Sequence, residues 1–175
     1  AWNNQDRTAN VMMDEALAKS GILVVAIDLT GAPEAPYPAS IQDANYGVRW
    51  LKQRAREWNG DPTTIGALGS SSGGHEIELC AMRPHDPYYC VHKLAEAPDL
   101  DATLNYVATR SPVSDPYARF LNAEKLGRSE MVQNSKNYFN PWDTIHDGNP
   151  QEILDRGEKV TLVPLLIMQG ELDDN

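Results

Sequence analysis

Apolar residues along the chain fall into short unbroken runs, and between those runs they recur at every third or fourth position. The first run, Ile22-Leu23-Val24-Val25-Ala26-Ile27, has the length of a strand and no polar face. It therefore predicts a strand buried on both sides, as in a parallel sheet. Residues 6–20 before it are rich in helix formers and end at Gly21, a good helix stop. Pro33, Pro36 and Pro38 follow, and because a helix interior does not accommodate them a loop is expected. Ser40, with Asp43 three positions on, reads as a capping box that opens the next helix. Its apolar stripe is Ile41, Ala44, Val48, Leu51, Ala55 and Trp58, closed by Gly60.

The alternation continues. Residues 64–68 predict a second strand, running directly into a glycine-serine cluster, and a helix is expected from residue 72 or 73 to about 82, stopped by Pro84. Residues 84–100 read as loop and 102–108 as a third strand. Residues 111–159 are more polar, with helical stretches expected at 119–126, 128–138 and 150–157, and 163–168 form the last predicted strand. Strands separated by crossover helices imply a mostly parallel sheet in a three-layer α/β sandwich. At 175 residues the chain has the size of one domain, with 111–159 as an insertion within it.

The candidate chemistry sits where the second strand meets its helix, in Gly69-Ser70-Ser71-Ser72-Gly73-Gly74. A nucleophilic serine must project from a sharp strand-to-helix turn with its own backbone strained. The residues two before and two after it then crowd each other, which favours glycine at both. Only Ser71 has glycine at both flanking positions, Gly69 and Gly73, and neither Ser70 nor Ser72 has that register. The same turn aims the Ser72 backbone N–H at the carbonyl oxygen under attack and puts Ser71 near the positive end of a helix.

A second candidate lies past the last strand, where Gly170-Glu171-Leu172-Asp173-Asp174 places a carboxylate after the serine in chain order. A loop after a late strand is where this architecture holds the acid that orients a catalytic histidine, and spacing alone leaves Asp173 and Asp174 both open. All four histidines, His75, His85, His92 and His146, precede this acid, against the order the architecture requires. Each reads as an ordinary surface or packing residue, and the base is expected on a segment beyond residue 175.

Composition narrows the partners. Hydrophobic residues make up 41% and charged residues 23%, the balance of a globular protein. A net charge of -10, spread along the chain, argues against nucleic acid or anionic lipid as partners. No apolar run approaches the roughly 20 residues needed to cross a bilayer. The start of the chain shows no signal peptide, and Cys80 and Cys90 match no metal-ligand spacing, so two free thiols in a cytoplasmic setting are expected. Neither a metal nor an organic cofactor is called for. The sequence does not address oligomeric state.

These segments together resemble the esterase/lipase branch of the α/β-hydrolase superfamily, which holds hormone-sensitive-lipase-like esterases and feruloyl and acetyl-xylan esterases. Gly69 through His75 resembles its nucleophile elbow, and Ala32-Pro33-Glu34-Ala35-Pro36-Tyr37-Pro38-Ala39 resembles its more specific A-P-E-x-P-[FY]-P-A loop. Residues 43–51 resemble the helix after that loop, and Gln169-Gly170-Glu171-Leu172-Asp173 resembles the G-x-x-D segment, which selects Asp173 as the acid. Ala1-Trp2 looks like the end of an H-G-G-x-W motif, whose backbone N–H groups complete the oxyanion hole and would include Ala1. Asp28-Leu29-Thr30-Gly31 departs from the aspartate-tyrosine-arginine run usual before the A-P-E loop.

The resemblance implies a partial α/β-hydrolase domain over 1–175, incomplete at both ends, with a helical cap at about 111–159. It also implies a serine carboxylesterase acting on small ester molecules through an acyl-enzyme on Ser71. Cut at both ends of its catalytic core, the chain itself is expected to hydrolyse esters poorly or not at all. Tyr117, Phe120, Tyr138, Phe139 and Trp142 either roof its pocket or pack the cap's own core. An amidase, arylformamidase or peptidase on the same fold, or a hydrolase-like binding protein that has lost its base, would carry the same segments.

Overall fold

In the computed structural model, residues 2, 3 and 6–173 are described. Three parallel strands, β1 (Gly66–Ser70), β2 (Tyr106–Arg110) and β3 (Leu165–Met168), form a sheet in the order β1-β2-β3. Among the described residues seven α-helices accompany them: α1 (Val11–Lys19), α2 (Ala39–Arg54), α3 (Ser72–Met82), α4 (Pro116–Lys125), α5 (Ser129–Tyr138), α6 (Thr144–Asp147) and α7 (Pro150–Asp155). A 3₁₀ turn, Ala55–Trp58, prolongs α2.

Helix α3 crosses from β1 towards β2 and packs on both, while α2 packs on the far side of α3. Its buried residues, among them Ile77, Leu79 and Cys80, make it the centre of the core. Trp2, Tyr138, Phe139, Ile145 and Ile153 join the same core, so the segment that carries α4–α7 shares it, with α4 packed on α5 and α6, and α7 on α3. Two of its helices start as local chemistry dictates. The Asp115 side chain accepts from Ala118 N–H at 2.9 Å and that of Asn149 from Glu152 N–H at 3.1 Å, each followed by proline at the first helical position.

Several expectations are corrected. Residues 22–27 form no ladder with any described segment, and Ile22, Leu23, Val25 and Ile27 are 37–45% exposed. An apolar run becomes a buried strand only when a neighbour pairs with its backbone on at least one edge. Here the segment instead lies along α2, with the Ile27 side chain over Gly47 and that of Leu23 over Gly60. Strand β3 is half-exposed throughout because it pairs with β2 on one edge alone among the described residues.

The capping box also fails. Helix α2 starts at Ala39, and Ser40 is already inside it, buried, with its hydroxyl 2.9 Å from the Tyr138 hydroxyl. Asp43 instead accepts the Thr30 N–H at 2.7 Å and faces His92. The strand at 64–68 begins and ends two residues later, and β2 starts four residues after its expected start, since Asp61 and Asp101 turns occupy the intervening positions.

Candidate active site

Ser71 occupies the single residue between β1 and α3, with φ 54° and ψ -120°. That backbone region is costly for any residue with a Cβ, and such strain concentrates at functional sites. Three main-chain bonds hold it there. Ser71 N–H donates to the Arg110 carbonyl at 2.9 Å, and the Ser71 carbonyl accepts from His75 N–H at 3.2 Å and Val113 N–H at 3.3 Å. The Ser71 residue itself is exposed. Ser72, first in α3, is buried, and its backbone N–H has no acceptor among the described residues, as befits a helix N-terminus.

The predicted crowding is one-sided. A Cβ on Gly69 would collide with the Gly73 carbonyl, but one on Gly73 would meet open space. The tight approach lies one residue on, where a Cβ on Gly74 would come 2.8 Å from Pro112.

Register places the other candidates at the same edge. Ser70 lies opposite Arg110, and Arg110 opposite Met168, so the chain leaves β1 at Ser71 and β3 towards Asp173 on the same carboxyl edge. With β2 between them, β1 and β3 stand roughly 10 Å apart at ordinary strand spacing. Asp173 is half-buried and donates its N–H to the Gly170 carbonyl at 3.1 Å. Its charge bears on Arg119, whose guanidinium is held below its ordinary pKa by burial and by Arg128, with Asp173 opposing. Ala1 and Asp174 lie outside the described residues.

His75 is the packing residue that its helical position suggests, and it is fully buried. Trp2 Nε1–H donates to its Nδ1 at 3.1 Å, and its Nε2 lies 2.7 Å from the Gly148 carbonyl. Indole can only donate and a carbonyl can only accept, so the ring is neutral with its hydrogen on Nε2. Burial pushes its pKa down to about 4, against the Gly148 hydrogen bond and with help from Arg119. His85, His92 and His146 face Asp101, Asp43 and Glu152 from partly exposed positions.

Sequence reading also missed two buried acids on α3. Burial raises the pKa of Glu76 to about 7, partly offset by a hydrogen bond with Ser40. Burial likewise raises that of Glu78, which accepts from Ser114 Oγ at 2.8 Å and Thr109 Oγ1 at 3.3 Å. Their helical positions, three apart from His75 or directly beside it on a helix without an exposed face, are the signal that would have found them.

All five aromatics of the inserted segment join the packed core, Phe120, Tyr138 and Phe139 buried in it and Tyr117 and Trp142 half-buried against it. Tyr138 stacks on Trp2 with centroids 4.7 Å apart and Phe139 meets it edge-on at 5.2 Å, so these two belong to the packed core. One concavity, of about 600 Å³, lies between residues 25–30 and α2. Another of about 170 Å³ lies between α3, the sheet and α7, and neither includes Ser71.

The sequence pattern of the BD-FAE family matches residues 1–174. The chain belongs to that family. Esterase LipQ of Mycobacterium tuberculosis is 25% identical over 94% of this chain and 41% of its own length. Carboxylesterase NlhH of the same organism is 41% identical over 37% of this chain and 20% of its own length. Among solved structures, inhibited esterase B from Lactobacillus rhamnosis superimposes with a TM-score of 0.79, at 20% identity, over 99% of this chain and 54% of that one. This BD-FAE chain thus has an α/β-hydrolase fold, and it spans between a fifth and about two fifths of the length of these two curated relatives. Among its described residues no helix is long and apolar enough to cross a membrane.

Proposed function

We propose that this chain carries the nucleophile and acid of a serine carboxylester hydrolase. The observation that carries the reading is the backbone of Ser71, held at φ 54° between a parallel strand and a buried helix with its residue exposed. Such a turn leaves one hydroxyl standing above the sheet edge and costs stability that ordinary loop packing has no use for. The free N–H of Ser72 supports a role in the oxyanion site, and the Ala1 backbone is assigned the second donor on resemblance alone. The names of LipQ and NlhH, an esterase and a carboxylesterase, favour an ester as the substrate of this protein too.

In the proposed reaction a histidine removes the Ser71 proton as Oγ adds to the ester carbonyl. The Ser72 N–H stabilises the oxyanion, the alcohol leaves with that proton, and water then releases the acid from the acyl-serine. Asp173 orients the imidazole. His75 is ruled out as that base because both ring nitrogens are engaged, and His85, His92 and His146 precede Asp173 in the chain, against the order this architecture requires. The reading therefore takes the imidazole from outside these 175 residues. Residues 111–159, with α4–α7, would act as the cap over the site. The two unpaired thiols, Cys80 and Cys90, support a reducing, cytoplasmic setting.

Labelling of a protein long enough to include that imidazole with a fluorophosphonate, followed by peptide mapping, tests this. The label is expected on Ser71, and Ser71→Ala is expected to abolish both labelling and p-nitrophenyl acetate turnover. Label elsewhere, with turnover surviving the substitution, overturns the assignment.

A further inference from the structure

The reaction proposed above leaves His75 unused, yet its side chain is among the most constrained in the molecule. It sits one helical turn after Ser71, and its backbone N–H donates to the Ser71 carbonyl at 3.2 Å. Its ring is wedged between Trp2, Tyr138 and Phe139, with centroids 5.4–5.9 Å away. Both ring nitrogens are spent, one on the Trp2 indole N–H and one on the Gly148 carbonyl, 73 residues away in either direction along the chain. Trp2 is pinned in turn, since its carbonyl accepts from Ala32 N–H at 3.2 Å and its face stacks on Tyr138.

We propose that His75 is a positioning residue for Ser71: its ring, clamped between Trp2 and Gly148, fixes the first turn of α3, and the amide of that turn holds the Ser71 carbonyl and so the direction of its hydroxyl. The inference rests on the esterase reading. The chemistry fits a neutral imidazole closely. It offers one acceptor and one donor on opposite sides of a rigid ring, and a buried residue that stays neutral at working pH holds that pattern constant. A protonated ring would set two N–H groups against each other at Trp2. An apolar ring of the same shape would leave the Trp2 indole N–H and the Gly148 carbonyl without partners in the core.

The test separates positioning from plain stability. In a protein long enough to include the catalytic imidazole, Trp2→Phe and His75→Phe are each expected to lower kcat and the rate of fluorophosphonate labelling about tenfold with KM little changed, because a misaimed nucleophile weakens the transition state rather than ester binding. The double variant is expected to lose no more than either single one, since both cut the same connection. His75→Gln, whose amide offers an acceptor and a donor at similar spacing, should recover most of the loss. Independently of turnover, long-range ¹H–¹⁵N spectra of the unaltered protein should show His75 with its hydrogen on Nε2 and no titration between about pH 5.5 and 8. Full kcat in folded Trp2→Phe or His75→Phe, or a ring carrying its hydrogen on Nδ1, overturns the inference while leaving the esterase reading intact. Turnover that survives Ser71→Ala overturns both.

Discussion

A Cβ on Gly69 would stand 2.4 Å from the Gly73 carbonyl oxygen and 2.8 Å from Gly74 Cα, whereas a Cβ on Gly73 would meet no atom within 4 Å. The two flanking glycines of the elbow are therefore not equivalent. Gly69→Ala forces backbone against backbone, which no rotamer can relieve, and is expected to cost about 3 kcal/mol and to abolish labelling of Ser71. Gly73→Ala, in the first turn of α3, should keep or raise stability by up to about 1 kcal/mol, the helix preference of alanine over glycine. Urea denaturation of the two variants checks the order, and equal losses would contradict the geometry.

The strain at Ser71 makes a second prediction. With φ 54° and ψ -120°, the backbone there suits glycine better than any residue with a side chain. Ser71→Gly should raise stability by about 1 kcal/mol while removing the nucleophile, and Ser71→Ala should leave stability within about 0.5 kcal/mol, since it retains the Cβ. Thermal denaturation of both variants against the parent protein decides it. A glycine variant no more stable than the alanine one would mean that the turn is not strained.

The elbow was legible in the sequence because its requirement is local: an apolar strand, small residues at fixed offsets and a helix start all fall within ten positions. The starts of α4 and α7 were equally available, in Asp115-Pro116 and Asn149-Pro150, a capping side chain followed by proline. Residues 22–27 were misread because an apolar run reports what a segment could bury, not whether another backbone lies beside it. For His75 the packing role was legible, but its partners were not. Its spacing of four from Leu79 places it on the buried face of α3, but its partners Trp2 and Gly148 are each 73 residues distant, beyond the reach of any periodicity.

Tyr37, in the loop before α2, gives a third prediction. Its hydroxyl donates to Asp147 Oδ2 at 2.5 Å, so the Tyr89 hydroxyl, 2.7 Å away, must donate to it. Tyr37→Phe removes the acceptor of a fully buried Tyr89, while Asp147 keeps Arg83 at 3.2 Å and contact with water. Tyr89→Phe removes only a donor, and Tyr37 keeps Asp147. Tyr37→Phe should therefore cost about 2 kcal/mol and Tyr89→Phe less than about 1 kcal/mol. Urea midpoints test this, and the reverse order would mean that the hydrogens are arranged the other way.

Adjacent residues of α3 make opposite demands on pH. His75 has its pKa pushed by burial to about 4, below its unfolded value near 6.5, so the unfolded chain binds the proton more readily and acidification from 6.5 to 4 erodes stability. Glu76 has its pKa pushed by burial to about 7, above the 4.5 of its exposed state, so the folded chain binds the proton more readily and raising the pH from 4.5 to 7 erodes stability. Each effect amounts to about 3 kcal/mol across its window, and between 4.5 and 6.5 the two slopes oppose each other. Single substitutions should expose them. Glu76→Gln leaves the histidine alone, and its urea midpoint should rise from pH 4.5 to 6.5. His75→Gln leaves the acid alone, and its midpoint should fall over the same interval. Because the two variants differ by one position on one helix, other titrating groups contribute alike to both. Parallel slopes in the pair would show that neither group is buried in the ionisation state its surroundings dictate.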